Sequence, residues 1–146
     1  MLALNARHET ETGPLDPAEL ARLCAAAFAT LAAGDSEGFL IALDEGANDP
    51  GPNWRWFAGR FARFAYIDRV IVAPQSRGRG VARALYAALA DKAREAGHDR
   101  LLCEVNTDPP NPGSFAFHQA LGFVQVGTQR LEARRKTVAY LEWRFG

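Results

Sequence analysis

Six consecutive residues, Gln75-Ser76-Arg77-Gly78-Arg79-Gly80, have the composition of an anion cradle. They stand between a β-branched run, Tyr66 to Ala73, and a long helical pattern beginning at Gly80. The start of a helix exposes unpaired backbone N–H groups and carries about half an elementary positive charge. Glycines let such a backbone approach a ligand closely, and Arg77 and Arg79 add fixed charge beside it. A phosphate or pyrophosphate is the chemistry that fits. The turn lacks the Lys-Ser/Thr of a nucleoside triphosphate loop, and Arg83 stands where a dinucleotide fingerprint needs its third glycine. Two carboxylates are also conspicuous. Glu104 interrupts the apolar strand LLCEV and Asp68 lies within YIDRV, and a carboxylate in such a strand must face a cleft or a charged partner.

The elements that must position these residues follow from periodicity and turn chemistry. Asp16-Pro17-Ala18-Glu19 reads as a helix start, with Asp16 as cap and Leu20, Leu23 and Ala27 as the apolar side. Leu2 to Leu4 reads as a short first strand. Residues 28–33 and 39–43 read as a strand pair around the loop 34–38, and residues 44–53 as a loop. Trp54, Phe57, Phe61 and Phe64 recur at helical spacing with Arg55, Arg60 and Arg63 off the stripe. An aromatic-basic segment could stack on nucleic acid, but the spacing instead predicts a helix packed on the core. Asn53, Trp54, Trp56 and Phe57 could also wall a substrate pocket. Tyr66 to Ala73 is the strongest strand. The helix from Gly80 to Ala96 should bury Val81, Leu85, Ala88 and Leu89 and stop at Gly97. A strand at 100–105, a rigid loop NTDPPNPG at 106–113, a helix from Ser114 to Leu121 closed by Gly122, and strands at 123–130 and 136–145 complete the chain. This order predicts one α/β domain over residues 1–146, a central mixed, mostly antiparallel sheet with helices on both faces.

The stretch VIVAPQSRGRGVARAL, Val70 to Leu85, resembles the acetyl-CoA-binding motif of the GNAT superfamily of N-acetyltransferases, with Gln75, Gly78 and Gly80 at its three marked positions. NPGSFAFHQALGF, Asn111 to Phe123, is similar to that family's second motif. Asn111, Gly122 and Phe123 match, while Ser114, Phe117 and His118 replace alanine, leucine and tyrosine. The NTDPPNPG loop is longer than the family pattern. The resemblance implies direct transfer of an acetyl group from acetyl-CoA to a primary amine. Backbone groups of Val70, Ile71 and Val72 would pair with the pantetheine arm. The amides of Arg77, Gly78, Arg79, Gly80 and Val81 would hold the pyrophosphate, and Asn111 and Ser114 would touch the arm from the other side. It also implies two strands that splay apart to admit the co-substrate, and an alternative in which the same fold senses an acyl-CoA without catalysis.

Direct aminolysis needs a base, because alkyl amines with pKa near 10 arrive protonated. Glu104 is the first candidate and Asp68 the second, each with an arginine ion pair as the competing structural reading. An acid assists the departing thiolate. His118, in the place of the family's tyrosine, is the candidate donor, against a competing reading in which it only packs on Phe117 or the prolines.

Composition bounds the partners. The chain of 146 residues carries 17 basic and 17 acidic side chains, with nine acidic and two basic in the first fifty. A neutral chain does not suggest a nucleic-acid partner, and no apolar run suits a membrane. Cys24 and Cys103 are too few for a disulfide framework or a cysteine zinc site. Cytoplasmic placement, no metal, a small-molecule or peptide amine acceptor, and a monomer or homodimer are the resulting expectations.

Overall fold

A computed structural model describes residues 17–34, 37–76 and 78–145. Among the described residues, twelve elements follow one another: α1 (Pro17–Ala26), β1 (Ala29–Ala33), β2 (Gly38–Asp44), α2 (Pro52–Ala58), β3 (Ala65–Val72), a 3-10 turn (Pro74–Ser76), α3 (Val81–Glu95), β4 (Arg100–Asp108), α4 (Pro112–Leu121), β5 (Val124–Leu131), a second 3-10 turn (Glu132–Arg134) and β6 (Lys136–Arg144). The expected strand at Leu2 to Leu4, the Asp16 cap, the Leu23 side chain and Arg77 lie outside the described residues. No helix among the described residues is long and apolar enough to cross a membrane.

The strands form one sheet in the order β1-β2-β3-β4-β6-β5. Every neighbour pair is antiparallel except β3 and β4. A parallel neighbour requires a crossover connection, and α3 is that crossover. Strand alternation then sorts the side chains. Leu40, Ile67, Leu101, Cys103 and Val105 meet Leu85, Tyr86, Leu89 and Ala93 of α3 on one face, joined by Phe115 and Phe117 of α4. Tyr66, Leu102, Val138 and Tyr140 meet Phe57 of α2 on the other. Near α1, that second face is completed by Phe39, Ile41 and Ile71, against which Leu20 and Ala27 pack. Both faces are covered, as the mixed pattern of the chain requires.

Four local expectations need correction. The aromatic stripe is not one helix: α2 begins at Pro52, inside the expected loop, and ends at Ala58. The Arg60 and Phe61 N–H groups both turn back to the Phe57 carbonyl, and the Phe64 N–H, past the helix end, goes to Glu45 Oε1 at 2.9 Å. Phe57 and Phe64 are nonetheless fully buried, so the core reading of the stripe stands for them. On α3, Ala88 is exposed, and Tyr86, Ala90 and Ala93 are buried instead. Residues 106–108 belong to β4 rather than to a loop, because Asn106 and Asp108 continue the ladder to β6.

Tyr140 of β6 lies opposite Gly127 of β5, and Trp56 stacks on the Tyr140 ring with centroids 4.3 Å apart. A Cβ at Gly127 would collide with the Trp56 ring, so this glycine makes the slot into which α2 inserts its indole. Gly127→Ala is therefore expected to cost about 1–3 kcal/mol by overpacking. Urea denaturation measures it, and an unchanged midpoint would mean that Trp56 is not held in the slot.

Candidate functional site

The turn from β3 into α3 is described at all its residues but Arg77. Gly78 and Gly80 hold φ of 80° and 76°, a left-handed backbone that side chains rarely adopt. Gly80 is the N-cap of α3, which has no side-chain capping bond and no acidic residue in its first turn. The amides that open α3 therefore lack the carboxylate or hydroxyl that closes most helix starts. An open pocket adjoins them, lined by Val72, Ser76, Gly78, Gly80, Val81 and Phe117. Arg83 also lines it and is exposed, as is Arg79 between the two glycines.

A gap between β3 and β4 follows from the parallel pair. β3 and β4 share two ladder pairs, Ala65↔Leu101 and Tyr66↔Leu102, and none beyond them. Val70, Ile71 and Val72 thus run along the parted stretch. Opposite Ile41 and Ala42 the β2–β3 register shifts, so that Asp68 is the extra residue of a bulge. β4 stays paired to β6 from Arg100 to Asp108.

Glu104 stands on β4 just past the last shared pair. The Tyr66 hydroxyl of β3 donates to both of its oxygens, at 3.0 and 2.9 Å. Asn53 Nδ2 donates to Oε1 at 3.0 Å. Tyr140 in turn donates to Asn53 Oδ1 at 2.8 Å and lies 2.8 Å from Gln129 Oε1. Burial, followed by the nearby charge of Asp68, raises the Glu104 pKa to about 7, against the opposing pull of the Tyr66 hydrogen bond and Lys136. A carboxyl group so placed is part ionised near neutral pH and can exchange a proton. Asp68 is ion-paired to its neighbour Arg69 at 3.0 Å; burial raises its pKa and Arg69 counters.

His118 is placed differently from the expected thiolate donor. It is buried on α4, with Nδ1 2.7 Å from the Ser114 carbonyl and Nε2 2.6 Å from the Tyr86 hydroxyl. A carbonyl only accepts, so Nδ1 carries the proton and Nε2 accepts from Tyr86. Both ring nitrogens of the neutral imidazole are then engaged inside the protein, and burial lowers the pKa further from an imidazolium acid. The rings of Phe117, Phe123 and Tyr86 pack edge-on around it. The competing reading, packing, is the one this geometry favours. Asn111 caps α4, accepting from the Ser114 N–H at 3.3 Å, and thereby fixes the start of the helix.

Of the residues named as a pocket wall, Asn53 joins Glu104, Trp56 covers Tyr140, Phe57 is core, and Trp54 donates to the Asp44 carbonyl at 2.9 Å. Tyr66, Tyr140 and Gln129 were not singled out from sequence. Tyr66 carried a signal, since it lies two residues before Asp68 and so on the same side of a regular strand. The register that sets Tyr140 opposite Glu104 leaves no local trace.

Residues 8–123 match the model of the acetyltransferase (GNAT) family. Over 83 residues the chain is 35% identical to the L-amino acid N-acyltransferase MnaT of Escherichia coli (strain K12), covering 53% of this chain and 46% of that one. The chain thus spans about half the length of that curated relative. Among solved structures, Ard1 of Thermoplasma volcanium superposes with a TM-score of 0.77 at 18% identity, covering 100% of this chain and 89% of that one. The structure of yncA from Salmonella typhimurium with its cofactor acetyl-CoA superposes with a TM-score of 0.54 at 22% identity, covering 75% and 58%.

The Glu104 environment has a consequence for stability. A pKa raised from 4.5 to about 7 means that the folded chain binds this proton more tightly than the unfolded chain does. The contribution is full below about pH 4.5 and is lost as pH rises to about 7. Glu104→Gln removes that dependence. The melting temperature of the variant minus that of the parent should therefore climb between these limits and level off above them. Parallel melting curves across the range would refute the shift.

Proposed function

The chain belongs to the acetyltransferase (GNAT) family, and on that premise we propose that it transfers the acetyl group of acetyl-CoA directly to the primary amine of a small acceptor. The observation that carries the reading is the parting of β3 and β4 after two ladder pairs, with a glycine-rich helix start at one end of the gap and Glu104 inside it. Acetyl-CoA supplies a thioester carbonyl that a neutral amine can attack. The amides around Gly78, Gly80 and Val81 would hold the pyrophosphate, with Arg77 and Arg79 adding charge. The backbone of Val70, Ile71 and Val72 would run beside the pantetheine arm. Asn111 and Ser114, which shape the start of α4, would bound the arm from the other side.

Glu104 is the proposed base. It takes a proton from the incoming ammonium, directly or through water, while Tyr66 and Asn53 keep both carboxylate oxygens oriented. Asp68 is the weaker candidate because Arg69 already holds its charge. Nitrogen attacks the carbonyl carbon, the C–S bond breaks, and the proton shed by nitrogen is available to the sulfur. Thiolates with pKa near 8.5 are good leaving groups, so the step does not require His118 as acid.

The relative named for L-amino acids makes their α-amines the first acceptors to try. The test is acetyl-CoA with L-amino acids, polyamines and peptide N-termini, followed by thiol release. Binding of CoA without turnover of any amine would favour the sensing alternative. Glu104→Gln should lower kcat/KM by roughly 10²–10⁴-fold and remove an acid limb near pH 7, with CoA affinity unchanged. Intact turnover would overturn the assignment. Gly78→Val, at a left-handed position with open space around its Cβ, should weaken CoA at least roughly tenfold by calorimetry, because it blocks backbone approach to the phosphates. Unchanged affinity would remove the cradle.

A further inference from the structure

Three donors of metal-ligand type converge at the end of α3 opposite the cradle. Asp44 closes β2, Glu45 follows it in the turn, and His98 follows Gly97 beyond the C-terminus of α3. One donor atom from each lies within 4.8 Å of the other two. The His98 side chain is 3% exposed, its ring packed edge-on against Phe28 with centroids 5.1 Å apart. Its Nδ1 is buried and has no hydrogen-bond partner. Glu45 Oε1 lies 3.8 Å from that nitrogen, beyond hydrogen-bond range. A buried ring nitrogen left without a partner, turned toward two carboxylates, calls for a ligand between them.

The carboxylates are held for such a role. Asp44 Oδ1 accepts from the Gly46 N–H at 2.9 Å, and Glu45 Oε1 from the Phe64 N–H at 2.9 Å. Each contact orients a carboxylate and leaves its second oxygen without a hydrogen-bond partner among the described residues, as outer hydrogen bonds do around bound metals. Neither acid is ion-paired to a lysine or arginine among the described residues. The neighbouring Arg63 donates to the Ala96 carbonyl at 3.0 Å. We propose that Asp44, Glu45 and His98 bind a divalent cation of zinc type through one imidazole nitrogen and two carboxylate oxygens, with water completing the shell. One nitrogen and two oxygens suit zinc better than the all-oxygen sets of magnesium or calcium. Around an ion with bonds near 2.0–2.2 Å, donors sit about 3.4 Å apart. The trio must therefore draw in, and Glu45, whose side chain is 31% exposed, has room to do so. The ion would tie the end of β2 to the end of α3. At about 1.5 Å per residue, α3 separates this site from the cradle by roughly 20 Å, so it has no part in acetyl transfer.

Calorimetric titration of the chelator-treated full chain with Zn²⁺, and its absorption spectrum with Co²⁺, test the site. Expected are one Zn²⁺ per chain, a raised melting temperature, and a Co²⁺ spectrum without a thiolate charge-transfer band. Asp44→Asn and Glu45→Gln should each weaken Zn²⁺ at least roughly tenfold with circular dichroism unchanged. His98→Gln should abolish binding; since it empties a buried position, the two carboxylate variants decide if it fails to fold. Cys24→Ser, which removes an exposed thiol, should change nothing. Absence of stoichiometric binding, binding indifferent to both carboxylate variants, or loss of binding in Cys24→Ser would each overturn the proposal. So would a melting temperature that follows pH and ignores Zn²⁺, which would make the trio a simple His98–Glu45 ion pair.

Discussion

A parallel strand pair that surrenders its ladder after two residues is the constraint on which the remaining structure depends. β3 and β4 meet at Ala65↔Leu101 and Tyr66↔Leu102 and then part. The molecule tolerates this because each strand keeps a partner on its other edge. β2 follows β3 from Asp44↔Ala65 to Gly38↔Val72, and β6 follows β4 almost throughout. Only one ladder is given up. The same crossover that makes the pair parallel brings the chain from the end of β3 straight into α3, so the helix start lies at the mouth of the gap. The opening and the glycine-rich helix start are two results of one connection.

The gap also sets the chemistry of Glu104. Glu104 stands half-buried beside Leu102 and Tyr140, and burial is the largest influence on its proton affinity. Tyr66 and Asn53 satisfy its oxygens from two other elements, β3 and α2. Tyr140 holds Asn53 in place from β6, and Trp56, seated over Gly127, covers Tyr140. The aromatic cluster under α2 is thus both core and support for one titrating group. A change in packing at Gly127 of β5 would reach Glu104 through four contacts, by way of Trp56, Tyr140 and Asn53.

His118 shows how partner geometry overrides residue type. Imidazole is able to donate a proton, and the motif around it resembles one in which tyrosine stands at that place. Here the Ser114 carbonyl takes its one N–H and the Tyr86 hydroxyl fills its lone pair. The aromatic stripe makes a similar point. Trp54, Phe57, Phe61 and Phe64 repeat at helical spacing, yet α2 ends at Ala58, where the Arg60 N–H turns back to the Phe57 carbonyl, and the Phe64 N–H beyond it is taken by Glu45.

By itself the sequence determined what depends on near neighbours. The β-branched run before Pro74, the glycines at 78 and 80, the helix ending at Gly97 and the strand pair around residues 34–38 are encoded by alternation, turn chemistry and spacing within a few residues. Those features were enough to locate the glycine-rich start of α3 and to mark Glu104 as a carboxylate needing a reason to be in its strand. Only the tertiary structure decided which distant side chains meet. That Tyr140 faces Glu104, that Asn53 arrives from α2, and that Asp44 and Glu45 meet His98 more than fifty residues later are consequences of strand register and crossover. Register is chosen by the burial of whole faces at once, so no short window of residues contains it.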